Sequence, residues 1–264
     1  MRSLGEAVTA LVELVLPRVC AGCAVGAGSW CADCAGELLG PPRSAEPTPS
    51  PPDLPPPYAV AAYAGPVRAA VVDHKEHGRR ALARPLGQAL ARSAAAAADV
   101  AGIRGAVLLV PAPSRPAAIR ARGGDPVRRL AEVAATAMRR SGREAYVLPA
   151  LRVRPRARQP LDSAGLAAVA RAANLAGTLE VRATWRTRLT GHRVLLVDDV
   201  VTTGATLAEA ARVLRAAGVQ VPAAAVVAAT PRRVCPPPLR GASVLSWHPP
   251  GSVVAPDEPV PRDQ

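Results

Sequence analysis

The sequence predicts an α/β fold, a parallel sheet flanked by helices, with a small N-terminal four-cysteine zinc-binding module attached. Three observations carry that expectation. Beyond residue 58, short apolar segments alternate with alanine-rich amphipathic ones, the strand, helix, strand order of a parallel sheet. One segment, HRVLLVDD (192–199), is apolar without alternation, as a central strand buried on both faces is. Four of the five cysteines lie in two CxxC pairs ahead of a proline-rich stretch.

Each element has a local reason. AVTALVELVLPRVC predicts an N-terminal helix, and Glu6, Glu13 and Arg18 keep it short of the ~18 apolar residues a membrane span needs. It also lacks a basic n-region and a small-residue cleavage site, so the expectation is a cytoplasmic protein with no membrane span. Residues 1–40 are read as this helix plus the cysteine module, and 41–57, PPRSAEPTPSPPDLPPP, as an extended, semi-rigid linker too proline-rich for helix or interior strand. The main domain is placed at 58–235. It begins with a strand YAVAAYA (58–64) and a helix PVRAAVVDHKEHG, where Pro66 suits the first turn. A helix ARPLGQALARSAAAA, a strand at 105–113 and a helix DPVRRLAEVAATAMRRSG closed by Gly142 follow. EAYVLPAL predicts a third strand, and DSAGLAAVARAANL a helix capped by Asp162 or Ser163. After HRVLLVDD come a helix from Ala205 to Ala217, closed by Gly218, and a strand at 221–230. The tail, 236–264, is turn-rich and expected to be irregular.

A chain of 264 residues, 49% hydrophobic, can bury one sizeable core with a small appendage. Its net charge of +13 would attract polyanions or phosphorylated small molecules. Coding bias accounts for that charge equally well: the basic residues are nearly all arginine, Lys75 is the single lysine, and phenylalanine is absent. No basic stripe is interleaved with aromatics as a single-strand stacking platform would be.

Cys20-Ala-Gly-Cys23 and Cys31-Ala-Asp-Cys34 are two knuckles whose thiolates can converge on one tetrahedral centre. Structural Zn²⁺ is the best fit, since four thiolates leave no open coordination position. Two disulfides are disfavoured in a reducing compartment, and a redox pair would need a single CxxC beside a βαβ pattern. Cys235 stands apart and reads as an incidental or small buried thiol.

The stretch VLLVDDVVTTGAT (194–206) carries the chemistry. Its strand delivers Asp198 and Asp199 to the C-terminal edge of the sheet, where open α/β sheets bind ligands. Adjacent carboxylates repel, so the doublet makes sense if it accepts hydrogen bonds from hydroxyls or faces a cation: a ribose diol does the first, and Mg²⁺ held by the same ligand the second. Thr202, Thr203, Gly204, Ala205 and Thr206 then turn the chain into a helix, a phosphate cradle of free N–H groups, hydroxyls and a positive helix end. The implied ligand is a phosphorylated sugar with vicinal hydroxyls.

These residues resemble the phosphoribosyl-diphosphate (PRPP) motif of type I phosphoribosyltransferases, and with the CxxC pairs the chain is similar to the ComF family, competence-associated proteins also called GntX-like. Further matching positions are Tyr63, Gly65, Lys75 and Gly78; Pro111, Pro113, Arg122 and Gly123; and Gly165, Leu166, Arg171 and Asn174. The family usually continues Arg-Gly-Phe-Asn-Gln where this chain has Arg122-Gly123-Gly124-Asp125-Pro126, and Ser163 stands where a glutamine is usual. The resemblance implies a type I phosphoribosyltransferase-like fold in which Asp198 and Asp199, the catalytic pair, hold the ribose 2′- and 3′-hydroxyls. It places the PRPP site along Val197, Asp198, Asp199, Val200 and Thr202 through Thr206, and the diphosphate near Ser114, Arg115 and Arg122. Arg120 is a further candidate for the leaving group, and each of these arginines reads equally well as a solvated surface charge. The implied reaction displaces diphosphate at the anomeric carbon through an oxocarbenium-like transition state, with Mg²⁺ neutralising the leaving group. The implied partners are PRPP or a nucleotide, with a nucleobase-type acceptor; the alternative is a non-catalytic accessory binding single-stranded DNA or DNA-uptake machinery. A homo-oligomer is a further expectation.

Overall fold

The computed structural model describes residues 19–25, 28–154 and 177–231. The expected N-terminal helix, the DSAGLAAVARAANL helix with Arg171 and Asn174, Cys235 and the tail lie outside the described residues.

In chain order the elements are α1 (Ala32–Gly36), β1 (Arg43–Ser44), β2 (Pro57–Ala59), β3 (Ala61–Ala62), α2 (Gly65–Lys75), a 3₁₀ turn (Arg80–Leu82) and α3 (Ala83–Val100). They continue with β4 (Val107–Pro111), α4 (Pro116–Arg122), α5 (Pro126–Arg140), β5 (Ala145–Val147), β6 (Leu151–Val153), β7 (Leu179–Val181), α6 (Ala183–Leu189), β8 (Arg193–Val201), α7 (Ala205–Ala216) and β9 (Gln220–Ala229). The main sheet runs β1-β2-β9-β8-β4-β5, with β3 also on β9, and every pairing is parallel except β1 with β2. β6 and β7 form a separate antiparallel pair.

β8 lies between β9 and β4, so its side chains feed cores on both sides. Leu195 and Val197 join Leu109, Ala223 and Ala225 beneath α2, α3 and α5, where Val71, Leu86, Leu90, Leu130 and Met138 are buried. Val194 and Leu196 face the other way, onto Leu207, Ala210 and Leu214 of α7 and onto Leu151, Leu179 and Val181. That is the period of two of a strand, with both faces apolar. With no phenylalanine, close approach of small residues fills the core instead. A Cβ added at Gly87 of α3 would sit 2.5 Å from Val133 Cβ on α5, so the helix pair depends on glycine there.

Local chemistry sets the boundaries. Asp125 caps α5 by accepting from Val127 N (3.1 Å) and Arg128 N (3.2 Å). Gly142, at φ 84°, ends it, with Arg143 N donating to Met138 O across the turn. Three expectations change. The strand expected at 58–64 is two pieces, β2 and β3, interrupted at buried Val60 with no change of register on β9. EAYVLPAL is not one strand: Pro149, which has no N–H for a ladder, separates β5 from β6, which leaves the main sheet to pair with β7. The segment expected as a linker is docked: Arg43–Ser44 pairs with β2, Ala45 and Leu54 pack against the second core, and Arg215 Nη1 donates to Asp53 O at 2.6 Å. Proline excludes helix from such a segment, but it leaves the side chains free to cover an apolar face. No described helix is long and apolar enough to cross a membrane.

Candidate functional site

β8 carries Asp198 and Asp199 to its C-terminal end, with Asp198 opposite Val226 of β9 in the ladder. Asp198 is 8% exposed and Asp199 4%, far less than a solvated strand end would be. Backbone amides hold each by one oxygen: Asp199 N donates to Asp198 Oδ1 and Val200 N to Asp199 Oδ1, both at 2.8 Å. The other oxygen of Asp199, Oδ2, lies 2.7 Å from Lys75 Nζ, at the C-terminal end of α2. Burial, and then the Asp199 charge beside it, pushes the Asp198 carboxyl up to about 8, with Lys75 only partly offsetting them. Burial draws the Lys75 ammonium down, but the facing carboxylates, Asp199 first and then Asp198, outweigh that and hold it protonated above its ordinary range.

Beyond Val201 the chain turns through Gly204, at φ 75°, into α7. The N-cap, Gly204, has no side chain to cap this helix, and Ala205 N makes only a long hydrogen bond to Thr203 Oγ1, at 3.5 Å. The start of α7 therefore presents amides and the positive end of the helix dipole. A Cβ at Gly204 would lie 2.9 Å from Leu54 Cδ2 and 3.3 Å from Pro47 Cγ, so the docked proline-rich segment closes one side of the turn.

A cavity of about 280 Å³ joins the two features, lined by Asp198, Asp199, Val200, Thr202 and Thr206 with Tyr63, Val71, Val72, Lys75 and Glu76. The carboxylates are buried in the sense of facing this cavity under α2. Val197, by contrast, is wholly buried in the core, and Gly204 and Ala205 are buried in the turn, so those positions act through backbone and packing. Ser114 and Arg115 lie elsewhere. Ser114 Oγ donates to Asp125 Oδ1 (3.0 Å) and lines a second cavity of about 490 Å³ with Arg128, Arg129, Arg152 and Arg182. Arg115 is the exposed residue before α4, Arg120 is exposed on that helix, and Arg122 ends it. The larger cavity lacks the doublet, which lines the smaller one.

Sequence reasoning names Lys75 and Tyr63 only as points of resemblance, with no role. The available signal is that Lys75 is the chain's single lysine.

The four cysteines converge. Their sulfurs lie within 4.8 Å of one another, and Cys23 Sγ is 3.8 Å from Cys31 Sγ. A tetrahedron with metal–sulfur bonds of about 2.3 Å has edges of about 3.8 Å. Gly22 N (3.4 Å) and Cys31 N (3.3 Å) donate to Cys20 Sγ. Burial opposes ionisation of Cys20, yet these and other backbone amides bring its thiol down to about 6. Burial and the adjoining sulfurs push the Cys34 thiol up. Such a group could hold a metal ion, which would supply the positive charge that Cys34 lacks. The module is also tied to the body of the protein: Ala21 and Trp30 pack against the first core, Leu38 is part of it, and Arg92 donates to Leu38 O (3.0 Å) and Leu39 O (2.9 Å).

Residues 163–243, which contain the doublet and the turn, match the phosphoribosyl transferase domain family. Adenine phosphoribosyltransferases of Mycobacterium avium (strain 104) and Mycolicibacterium paratuberculosis (strain ATCC BAA-968 / K-10) are each 59% identical to the chain over 39 residues, 15% of its length. The matched part spans 22% of the length of each of these relatives.

Proposed function

We propose that this protein binds PRPP, or a nucleoside 5′-monophosphate, at the end of β8 and transfers the phosphoribosyl group between diphosphate and a nucleobase-type acceptor. The observation that carries the proposal is the single cavity in which Asp198, Asp199, Thr202 and Thr206 meet beside an uncapped helix start. A 5′-phosphate fits the Thr202–Thr206 turn, where amides, hydroxyls and the dipole of α7 favour an anion. Vicinal hydroxyls fit the doublet, and charge developing on the ring in an oxocarbenium-like transition state would be favoured by the Asp199 carboxylate in a partly dry site. Mg²⁺, when bound with the ligand's diphosphate, would neutralise the leaving group.

The finer assignment, to the ComF family with structural Zn²⁺ at Cys20, Cys23, Cys31 and Cys34, is part of the proposal. Its support is the converged sulfur cluster and the presence of Tyr63 and Lys75, two positions of that resemblance, in the cavity wall. The division into a cysteine module, a 41–57 segment and a 58–235 domain is likewise proposed as an organisation of sequence, with the segment serving as a wall of the turn.

Isothermal titration with PRPP, with and without Mg²⁺, tests the function. Binding should be lost or weakened about a hundredfold in Asp198→Asn, an order of magnitude appropriate to a carboxylate bonded directly to ligand. Wild-type protein that shows no heat and no thermal shift with PRPP overturns it.

A further inference from the structure

The doublet already has a cation against it. Lys75 Nζ sits 2.7 Å from Asp199 Oδ2 in the wall of the same cavity, and the side chain is 38% exposed, so the ammonium reaches both the carboxylate and the open space. It is held there by a fixed element: α2 buries Val67, Ala70, Val71 and His74, and Lys75 is its last residue, where a cation is favoured by the helix dipole. An ammonium has three donors, so one bond to Asp199 leaves others for a ligand oxygen.

We propose that Lys75 is a positioning residue that orients Asp199 as a hydroxyl acceptor, so that the doublet recognises the vicinal diol of a phosphorylated pentose with no divalent cation at the carboxylates. The inference rests on phosphopentose binding at the doublet. It divides the cation requirement of the site: the lysine serves the hydroxyls, and added Mg²⁺ serves only a ligand that carries a diphosphate. Lysine at this point also supplies a counter-charge to buried Asp199, the carboxylate it pairs with at 2.7 Å.

The test uses the full chain in buffer with no added divalent cation, with ribose 5-phosphate and 2-deoxyribose 5-phosphate as probes in titration calorimetry. Wild type should prefer the ribose compound by about tenfold or more. Lys75→Met should lose about tenfold in affinity for ribose 5-phosphate and little for the deoxy compound, while Lys75→Arg stays within about threefold of wild type. A merely structural lysine would weaken both ligands alike, which overturns the proposal. Tighter binding of ribose 5-phosphate by Lys75→Met also overturns it, because the lysine would then be a plug. If Lys75→Met melts below the assay temperature, Lys75→Gln is read by the same criterion. Should wild type bind neither compound, phosphopentose binding itself falls. Should wild type bind and Asp198→Asn fail to bind while Lys75→Met behaves as wild type, only the lysine proposal falls.

Discussion

The cysteine module and the acidic doublet face the same physical problem and solve it differently. Each gathers ionisable groups of one kind against one another: four sulfurs within 4.8 Å in one, of which Cys20 and Cys34 are buried, and two adjacent buried carboxyl groups in the other. The doublet receives a side-chain cation, Lys75, and one backbone amide per carboxylate. At Cys20 the sulfur is faced by backbone amides, which are dipoles and not charges. A site compensated from within can stay folded while it exchanges ligands, whereas a site compensated only by dipoles needs a resident ion. On the proposed reading, an ion held by the four cysteines would be structural and a ligand at the doublet would come and go.

Removing the ion should have the largest effect. The cysteine module is docked through Ala21, Trp30 and Leu38, and Gly22 is wedged so that a Cβ there would meet Cys34 Sγ at 2.6 Å and Pro66 Cβ at 2.8 Å. Chelation should therefore lower the melting temperature of the whole protein by about 10 °C or more, equivalent to several kcal/mol, in differential scanning calorimetry. The proline-rich stretch by itself suggests that only the first forty residues would loosen; a core transition unmoved by chelator would reinstate that picture. Next in size is Gly204→Ala. It forces a side chain into a left-handed backbone and against Leu54, at a cost of about 2–3 kcal/mol in chemical denaturation, together with loss of PRPP binding. Normal stability in that variant would mean that the proline-rich segment yields easily and is no fixed wall.

Asp198→Asn sharpens the other side of the comparison. The folded-state pKa of Asp198, about 8, lies above the ordinary carboxylate value of about 3.9, so the native protein holds this proton more tightly than the unfolded chain. The stability it contributes is complete below about pH 4 and is lost as pH rises through about 8. The asparagine variant escapes that loss and should be more stable than wild type by about 1–3 kcal/mol at pH 8, with the gap closing toward pH 4, while binding PRPP far less well. A gap independent of pH would mean that the displaced ionisation of Asp198, caused by burial first and the Asp199 charge second, is not its source. The smallest change expected is Trp30→Phe. Its buried Nε1 has no hydrogen-bond partner among the described residues, so removing that donor offsets part of the packing lost, and stability should move by less than about 1 kcal/mol in the same denaturation assay.

Much of this was legible in sequence because it depends on near neighbours. The unbroken apolar run of β8 marks a doubly buried strand, which by itself puts Asp198 and Asp199 at the end of the sheet and Gly204 in the turn. Asp125 and Gly142 bracket α5 through bonds made within a few residues. β6 and β7 were missed because three-residue strands carry too little period to register, and their pairing joins Leu151 to Val181 across a long stretch of chain. The depth of the doublet was missed for a related reason: no local pattern says that α2 will lie over it.

The sequence by itself determined the alternation of the main sheet's longer strands with α2, α3, α5 and α7, the spacing that lets four cysteines converge, and the adjacency of two carboxylates to a glycine-threonine turn. Only the tertiary structure decided that Lys75 meets Asp199, that Pro47 and Leu54 wall the turn at Gly204, and that the cysteine module is anchored to the core. The physical reason is range. Helix, strand and cap energies are set by neighbours along the chain, whereas a counter-charge or a covering side chain is chosen by whatever surface packing brings within a few ångströms, from any distance in sequence.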